Sequence, residues 1–300
     1  MRVGLVGCGR WGANILRDLL ALGCDVPVVA RSEASIGRAR AGGASEIVSS
    51  VAELGAVDGV VVATPTSVHP ETVLEAFALG VPVFVEKPLC SDPQAAPKLA
   101  EAGSGRLFVM DKWRYHPGVR KLAELARTQA LGAVRTLKTV RVGWGNPHDE
   151  DCVWILVPHE LAIALEIFGR PLTPVAAVAQ IEHGKPLSMT GLTSDDGVAH
   201  VLEVSARSPL RARRVELHCA GGVAVLNDGW DEHVSVFRSR DDGREPQEER
   251  IATPGELPLL AELRAFVEHL RGGPAPISSA DEGALVVAAI ARLRELAGVP

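Results

Sequence analysis

The run Gly7-Cys8-Gly9-Arg10-Trp11-Gly12 follows the apolar stretch 2–6 directly and opens a stretch with helical spacing, and this placement constrains the chain more than any other feature. Residues 2–6 read as a strand. In 13–22, Ile15, Leu16, Leu19, Leu20 and Leu22 fall on one helical face, and Gly23 stands where a helix C-terminus favours glycine. Glycines between a strand and a helix permit a tight turn and let the backbone approach a pyrophosphate, while the first helical amides face its charge. Strand-like runs recur at 26–30, 46–48, 59–63, 81–85 and 106–110, with a second helix at 70–79 closed by Gly80. This alternation is the pattern of βαβ units and a parallel sheet.

After about residue 115 the rhythm changes to longer strand-like segments at 134–144, 175–181, 198–206, 214–219, 223–226 and 234–238. These predict a mostly antiparallel sheet. The expected fold is therefore α/β: an N-terminal Rossmann domain, a doubly wound parallel sheet over 1–115, then a C-terminal α+β domain over 116–300 for substrate binding and oligomerisation. Amphipathic helices at 257–271 and 281–296 close the chain. The alternating segments 198–206 and 214–219 suit burial against a copy of themselves, so a homodimer or homotetramer built through the C-terminal sheet is expected.

Composition narrows the partners. With 47% hydrophobic residues among 300, the chain can bury a core, and 31 Lys+Arg against 37 Asp+Glu leave a net charge of -6, which argues against nucleic-acid binding. No apolar run reaches the ~18 residues of a membrane span, and the N-terminus turns glycine-rich too early for a secretory segment. The cysteines Cys8, Cys24, Cys90, Cys152 and Cys219 are scattered and form no Cys-x-x-Cys pair. Reduced thiols, no bound metal and a cytoplasmic location are the expectation.

Cofactor choice rests on the end of the second strand, where an enzyme using NAD(H) offers a carboxylate to the ribose 2′-hydroxyl. The run here is Val28-Val29-Ala30-Arg31-Ser32. Arg31 and Ser32 suit a 2′-phosphate, through a charge-assisted fork and a hydroxyl, so NADP(H) is favoured over NAD(H). Arg31 as a solvated strand-end cation stacked on adenine is the alternative.

The fifth strand runs into Glu86-Lys87-Pro88, at the carboxyl edge where doubly wound folds place their chemistry. Together with the glycine motif and its Trp11, with Thr64-Pro65-Thr66 and His69, and with Arg114-Tyr115-His116-Pro117, this run resembles the glucose–fructose oxidoreductase, inositol dehydrogenase and rhizopine-catabolism family (Gfo/Idh/MocA). The resemblance is dense over residues 1–135 and continues thinly through Pro158-His159-Glu160-Leu161. It implies that Lys87 sits beside the nicotinamide and the reacting carbon, with Gly7, Gly9, Arg10, Trp11, Gly12, Arg31, Ser32, Thr64, Pro65, Thr66, His69, Glu86, Lys87 and Arg114 around the cofactor. A positioned ammonium can stabilise charge developing on a carbonyl oxygen and donate a proton. The resemblance also aligns His159 with a catalytic histidine, but the family's acidic positions four residues before and three after it are Ile155 and Ala162. Lys87 and His159 remain as the catalytic candidates.

Three other groups carry readings. The polar loop Asn146-Pro147-His148-Asp149-Glu150-Asp151 offers His148, Asp149 and Asp151 as substrate-side contacts, with helix capping as the alternative for the aspartates. Arg211, Arg213 and Arg214 form a compact basic cluster, read as a solvated sheet edge or subunit contact in preference to a phosphate site. Trp113, Trp144 and Trp154 read as core or site aromatics. The leading function is an NAD(P)-dependent oxidoreductase of a small polar carbonyl or alcohol, with a sugar derivative as the expected substrate. A non-catalytic dinucleotide-binding sensor or scaffold subunit, and an imine or biliverdin-type reductase, are the alternatives.

Overall fold

A computed structural model describes residues 1–145, 150–240 and 244–299, which form two compact units. The first comprises Met1–Lys112 with Leu257–Val287. Its strands β1 (Val3–Val6), β2 (Pro27–Val29), β3 (Glu46–Val48), β4 (Gly59–Val62), β5 (Val83–Glu86) and β6 (Leu107–Met110) lie parallel in the order β3-β2-β1-β4-β5-β6. Every residue of β1, β4, β5 and β6 is buried, which is why these strands read as unbroken apolar runs: helices cover both faces. The helices are α1 (Arg10–Ala21), α2 (Glu33–Ala41), α3 (His69–Phe77) and α4 (Ala95–Ala102). Strand order reverses at β1, with β2 on one side and β4 on the other, so the carboxyl ends of β1 and β4 mark the switch point.

The return of residues 257–287 to this unit departs from the contiguous division at residue 115. Helix α7 (Pro258–Leu270) buries Leu259, Leu263, Phe266 and Val267 in the same core as Phe84, Phe108 and Met110. Phe266 stacks on Phe84 with ring centroids 5.0 Å apart. At Gly59, the first residue of β4, a Cβ would lie 2.7 Å from Leu270 Cδ1. Helix α7 therefore runs against the strand direction, with its C-terminal end at the start of β4 and its first turns toward the carboxyl edge.

The second unit comprises Trp113–Glu256 with Ala288–Pro300. Its sheet has the order β14-β13-β12-β11-β7-β10-β9-β8, from β7 (Val134–Trp144), β8 (Thr173–Glu182), β9 (Lys185–Asp195), β10 (Val198–Ser205), β11 (Arg207–Cys219), β12 (Gly222–Leu226), β13 (His233–Arg238) and β14 (Glu248–Ala252). Neighbours are antiparallel except the parallel pair β7 and β10. Strands β9 and β14 were not expected from the sequence, and β11 begins seven residues earlier than predicted. Leu137, Val215, Leu217, Ala224, Leu226, Val234 and Val236 face α5 (Pro117–Arg127) and α6 (Cys152–Phe168), forming one core with their buried leucines, valines and isoleucines. Val175 and Val178 of β8 are exposed. The boundary between the units falls within α8 (Ala280–Leu296). All five cysteines carry free thiols, and among the described residues no helix is long and apolar enough to cross a membrane.

Candidate active site

The three glycines of the first turn divide their work. Gly7 adopts φ +96°, and a Cβ there would lie 2.8 Å from the Ala63 carbonyl oxygen. At Gly12 a Cβ would meet the Gly7 carbonyl oxygen at 2.2 Å. Both are therefore demanded by the turn itself. Gly9 differs: it N-caps α1 and a Cβ would meet nothing within 4 Å. That open ground lies at the N-terminus of a twelve-residue helix with no acidic residue in its first turn, and it fits a dinucleotide pyrophosphate. Arg38 of α2, unmarked by any sequence motif, donates from Nε to the Cys8 carbonyl at 3.1 Å and braces the turn.

Beside this turn, the chain leaving β4 passes through Thr64, exposed Pro65 and buried Thr66 to His69. The His69 ring is buried, and its two nitrogens lie 3.0 Å from the carbonyls of Pro88 and Thr64. Burial pushes its pKa down while the two carbonyls pull it up, and the ring bridges the loop after β4 and the loop after β5. A bracing role thus accounts for its position.

Glu86 ends β5 almost fully buried. The Trp11 indole donates to one of its carboxylate oxygens, and the Lys87 backbone amide donates to the other at 3.1 Å. Half-buried Lys87 projects from the segment so held, followed by a cis peptide bond to Pro88. Lys112 Nζ sits 4.1 Å from the centre of the Trp11 ring. Sequence reasoning missed the next member, Glu262. It stands one turn before Phe266 in α7 as Glu86 stands two residues after Phe84 in β5, so the Phe84–Phe266 stack brings the two acids to the same edge. Glu262 is 0% exposed and neither of its carboxyl oxygens has a hydrogen-bond partner. Burial first, then the charge of Glu86, raises its pKa well above the usual carboxylate range, against the opposing pull of Lys112 and Lys87. Burial likewise raises Glu86, opposed chiefly by Lys87.

On the second unit, His159 lies half-buried on α6. Ile155 occupies the preceding turn, and Ala162 is buried. Asp151 is the N-cap of α6: one carboxylate oxygen accepts from the amides of Val153 and Trp154 and the other from Arg294 at 2.6 Å. His148 and Asp149 lie outside the described residues. Arg114, named beside the cofactor residues, belongs to this unit and donates to Glu166 of α6 at 3.2 Å. His116 caps α5 and bonds the Gly229 carbonyl at 2.9 Å. Trp113 and Trp154 are core, whereas Trp144 is exposed. Below α6, the Arg141 guanidinium is paired with Glu160, both side chains almost wholly buried, and rests 4.4 Å from the centre of the Trp113 ring. Among the described residues no cluster of His, Cys, Asp or Glu is arranged to hold a metal ion.

At the second strand's end, Arg31 is exposed and donates from Nε to the Ser49 carbonyl at 3.1 Å. Ser32 caps α2, its hydroxyl accepting from the Ser35 amide in a capping box.

A glycine turn at the switch point, open above a helix N-terminus, with an ammonium at the end of a nearby strand, is the equipment of a nicotinamide-dependent oxidoreductase. Comparison with known proteins agrees. Residues 1–106 match the family model described as an oxidoreductase family with an NAD-binding Rossmann fold. Inositol 2-dehydrogenase 4 of Saccharopolyspora erythraea is 32% identical over 78% of this chain and 76% of its own. Inositol 2-dehydrogenase 2 of Paenarthrobacter aurescens is 27% identical over 94% and 92%, while several other inositol 2-dehydrogenases match over about half of their length. Among solved structures, UDP-N-acetylglucosamine 3-dehydrogenase from Acidithiobacillus ferrooxidans superposes with a TM-score of 0.85 at 24% identity, covering 99% of this chain and 97% of that one. The chain belongs to the Gfo/Idh/MocA family of oxidoreductases.

Proposed function

We propose that the protein transfers a hydride between NADP(H) and a carbonyl or alcohol carbon of a small polyhydroxylated substrate, with Lys87 as the proton-handling residue. The observation that carries this reading is the seating of Lys87: Glu86, locked by Trp11 and the Lys87 amide, fixes the backbone from which the ammonium projects. The nicotinamide, when bound, supplies the hydride donor or acceptor. Lys87 stabilises negative charge growing on the substrate oxygen and delivers a proton to it; in the reverse direction its neutral amine accepts that proton. His159 is the second proton-handling candidate, and Ile155 brings no carboxylate to support its charged form. The names of the relatives, dehydrogenases of inositol and of a nucleotide sugar, support a polyol or sugar derivative as substrate.

NADP(H) is favoured because the run Ala30-Arg31-Ser32 that leaves β2 carries no acid and because the Nη atoms of exposed Arg31 make no hydrogen bond among the described residues. Since Ser32 is engaged as a cap, Arg31 is the principal contact for the 2′-phosphate. Arg31→Asp should lower affinity for NADPH about tenfold, ~1.4 kcal/mol, and reverse the preference over NADH; equal affinities in a fluorescence titration of the unmutated protein would end this assignment.

The function is tested by following NAD(P)H oxidation and NAD(P)+ reduction against polyols, ketosugars, inososes and cyclic imines. Turnover is expected among the sugar and polyol compounds. Turnover confined to cyclic imines would replace this reading with an imine reductase. Tight dinucleotide binding with no turnover anywhere would favour the non-catalytic sensor, which the apolar Ile155 and Ala162 motivate.

A further inference from the structure

Among the described residues, one guanidinium on the inner face of the second unit's sheet, that of Arg213, has no ion-pair partner. In β11, Leu217 and Val215 point into the core opposite Leu137 and Thr139 of β7, and two residues earlier Arg213 stands opposite Arg141 on that same face. Directly opposed residues on neighbouring strands have Cβ atoms about 5 Å apart, and like charges so placed repel. Arg141 is compensated by Glu160 of α6. Arg213 is half-buried and makes no hydrogen bond or ion pair among the described residues. Two carboxylates bear on it electrostatically, Glu160 and Asp228. Glu160 is taken by Arg141, and Asp228 accepts from the Trp230 amide at 3.0 Å. Burial, then the charges of Arg141 and Arg211, lower the pKa of Arg213, the signature of a guanidinium short of an anion. For Arg213 this differs from the solvated sheet edge or subunit contact expected of the 211–214 cluster. The neighbours Arg211 and Arg214 are exposed, and Arg214 pairs with Glu216.

We propose that Arg213, backed by Arg141, binds an anionic oxygen-bearing substituent of the substrate, so that the protein acts on an acidic sugar or polyol, carboxylated or phosphorylated, in preference to a neutral one. This rests on the reading of the chain as a dehydrogenase whose second unit takes the substrate. A half-buried, unpaired guanidinium presents a fork of N–H donors matched to two oxygens of a carboxylate or phosphate. The anion would also relieve the Arg141–Arg213 repulsion, a gain no neutral hydroxyl provides. Glu160, which anchors Arg141, belongs to α6, the helix that also carries His159.

The test uses the full chain loaded with NADP+ or NADPH and four probes: glucose and myo-inositol as neutral compounds, gluconate as carboxylate, glucose 6-phosphate as phosphate. Calorimetry measures binding and cofactor oxidation or reduction measures turnover. At least one anionic probe should bind tenfold or more tightly than the neutral compounds. Arg213→Gln should weaken that binding about tenfold or more, and Arg213→Lys should restore part of it, with cofactor affinity retained as the check on folding. Which anion binds separates carboxylate from phosphate. Anion binding lost in Arg213→Gln without turnover of any probe would uphold this site and overturn the dehydrogenase reading. No anion binding, or anion binding equal in the unmutated protein and Arg213→Gln, would overturn the site and leave the dehydrogenase reading standing on turnover of a neutral probe.

Discussion

The two units bury charge in opposite ways. At the carboxyl edge of the first sheet there is a surplus carboxyl: Glu86 has its partners, while Glu262 has none and is held toward its neutral form by burial. On the inner face of the second sheet there is a surplus guanidinium: Arg141 has Glu160, while Arg213 lacks any partner among the described residues. A carboxyl can shed its charge by taking a proton. A guanidinium cannot near neutral pH, so it must find an anion or water. A buried carboxyl can thus rest neutral without a partner, whereas a half-buried guanidinium keeps its charge and its need for a counterion or water.

The largest effect is expected from Arg141→Met. It would leave Glu160 buried and unpaired, at a cost of about 3–5 kcal/mol. Denaturant unfolding should show that loss, and the double change Arg141→Met, Glu160→Leu should recover much of it. Equal stability of Arg141→Met and the unmutated protein would show that the buried pair is not what balances this face. Next in size, Lys87→Ala should lower kcat ~10²-fold or more, about 2.7 kcal/mol, with dinucleotide affinity little changed. Near-normal turnover would remove the chemistry from this strand end.

The glycines offer a finer cut within the first unit. Gly12→Ala must displace the Gly7 carbonyl and should cost 1–3 kcal/mol of stability even without cofactor. Gly9→Ala should leave unliganded stability within ~0.5 kcal/mol and weaken dinucleotide binding, because its Cβ would intrude only on the ligand's space. A matching loss of stability in both variants would contradict the division of roles. The smallest effect is expected from Glu262→Gln. A carboxyl whose pKa is raised in the folded state contributes stability below its unfolded pKa and loses it as pH rises through the folded one. Thermal melts of the unmutated protein should therefore fall relative to Glu262→Gln as pH climbs above the carboxylate range, and coincide with it at acid pH. A constant gap at all pH values would mean that Glu262 does not titrate as its burial requires.

Much of the first unit was legible because its constraints are local. A strand, a glycine turn and a helix follow within the first residues, and the turn's demands on Gly7 and Gly12 are steric. The carboxyl-edge position of Glu86 and Lys87 follows from strand order alone. Strand β9 was illegible for a physical reason: its inward residues include Thr193 and Gly191, and a Cβ on Gly191 would come 3.1 Å from Leu293, so closeness of packing replaces the apolar alternation a strand usually shows. Arg38 and Glu262 were equally hidden, since nothing in their immediate neighbours marks what they touch, and the visible basic cluster around Arg213 did not show that this residue faces Arg141.

The parallel sheet, the turn that receives a dinucleotide and the lysine at its edge are written in residues close together in the chain and in backbone sterics. Tertiary structure alone decided which charges are left unpaired. Whether Glu262 comes to Glu86, or Arg213 to Arg141, depends on a helix running back along a distant strand and on the register of β11 against β7. A one-residue shift in that register would have turned Arg213 to the other face of the sheet.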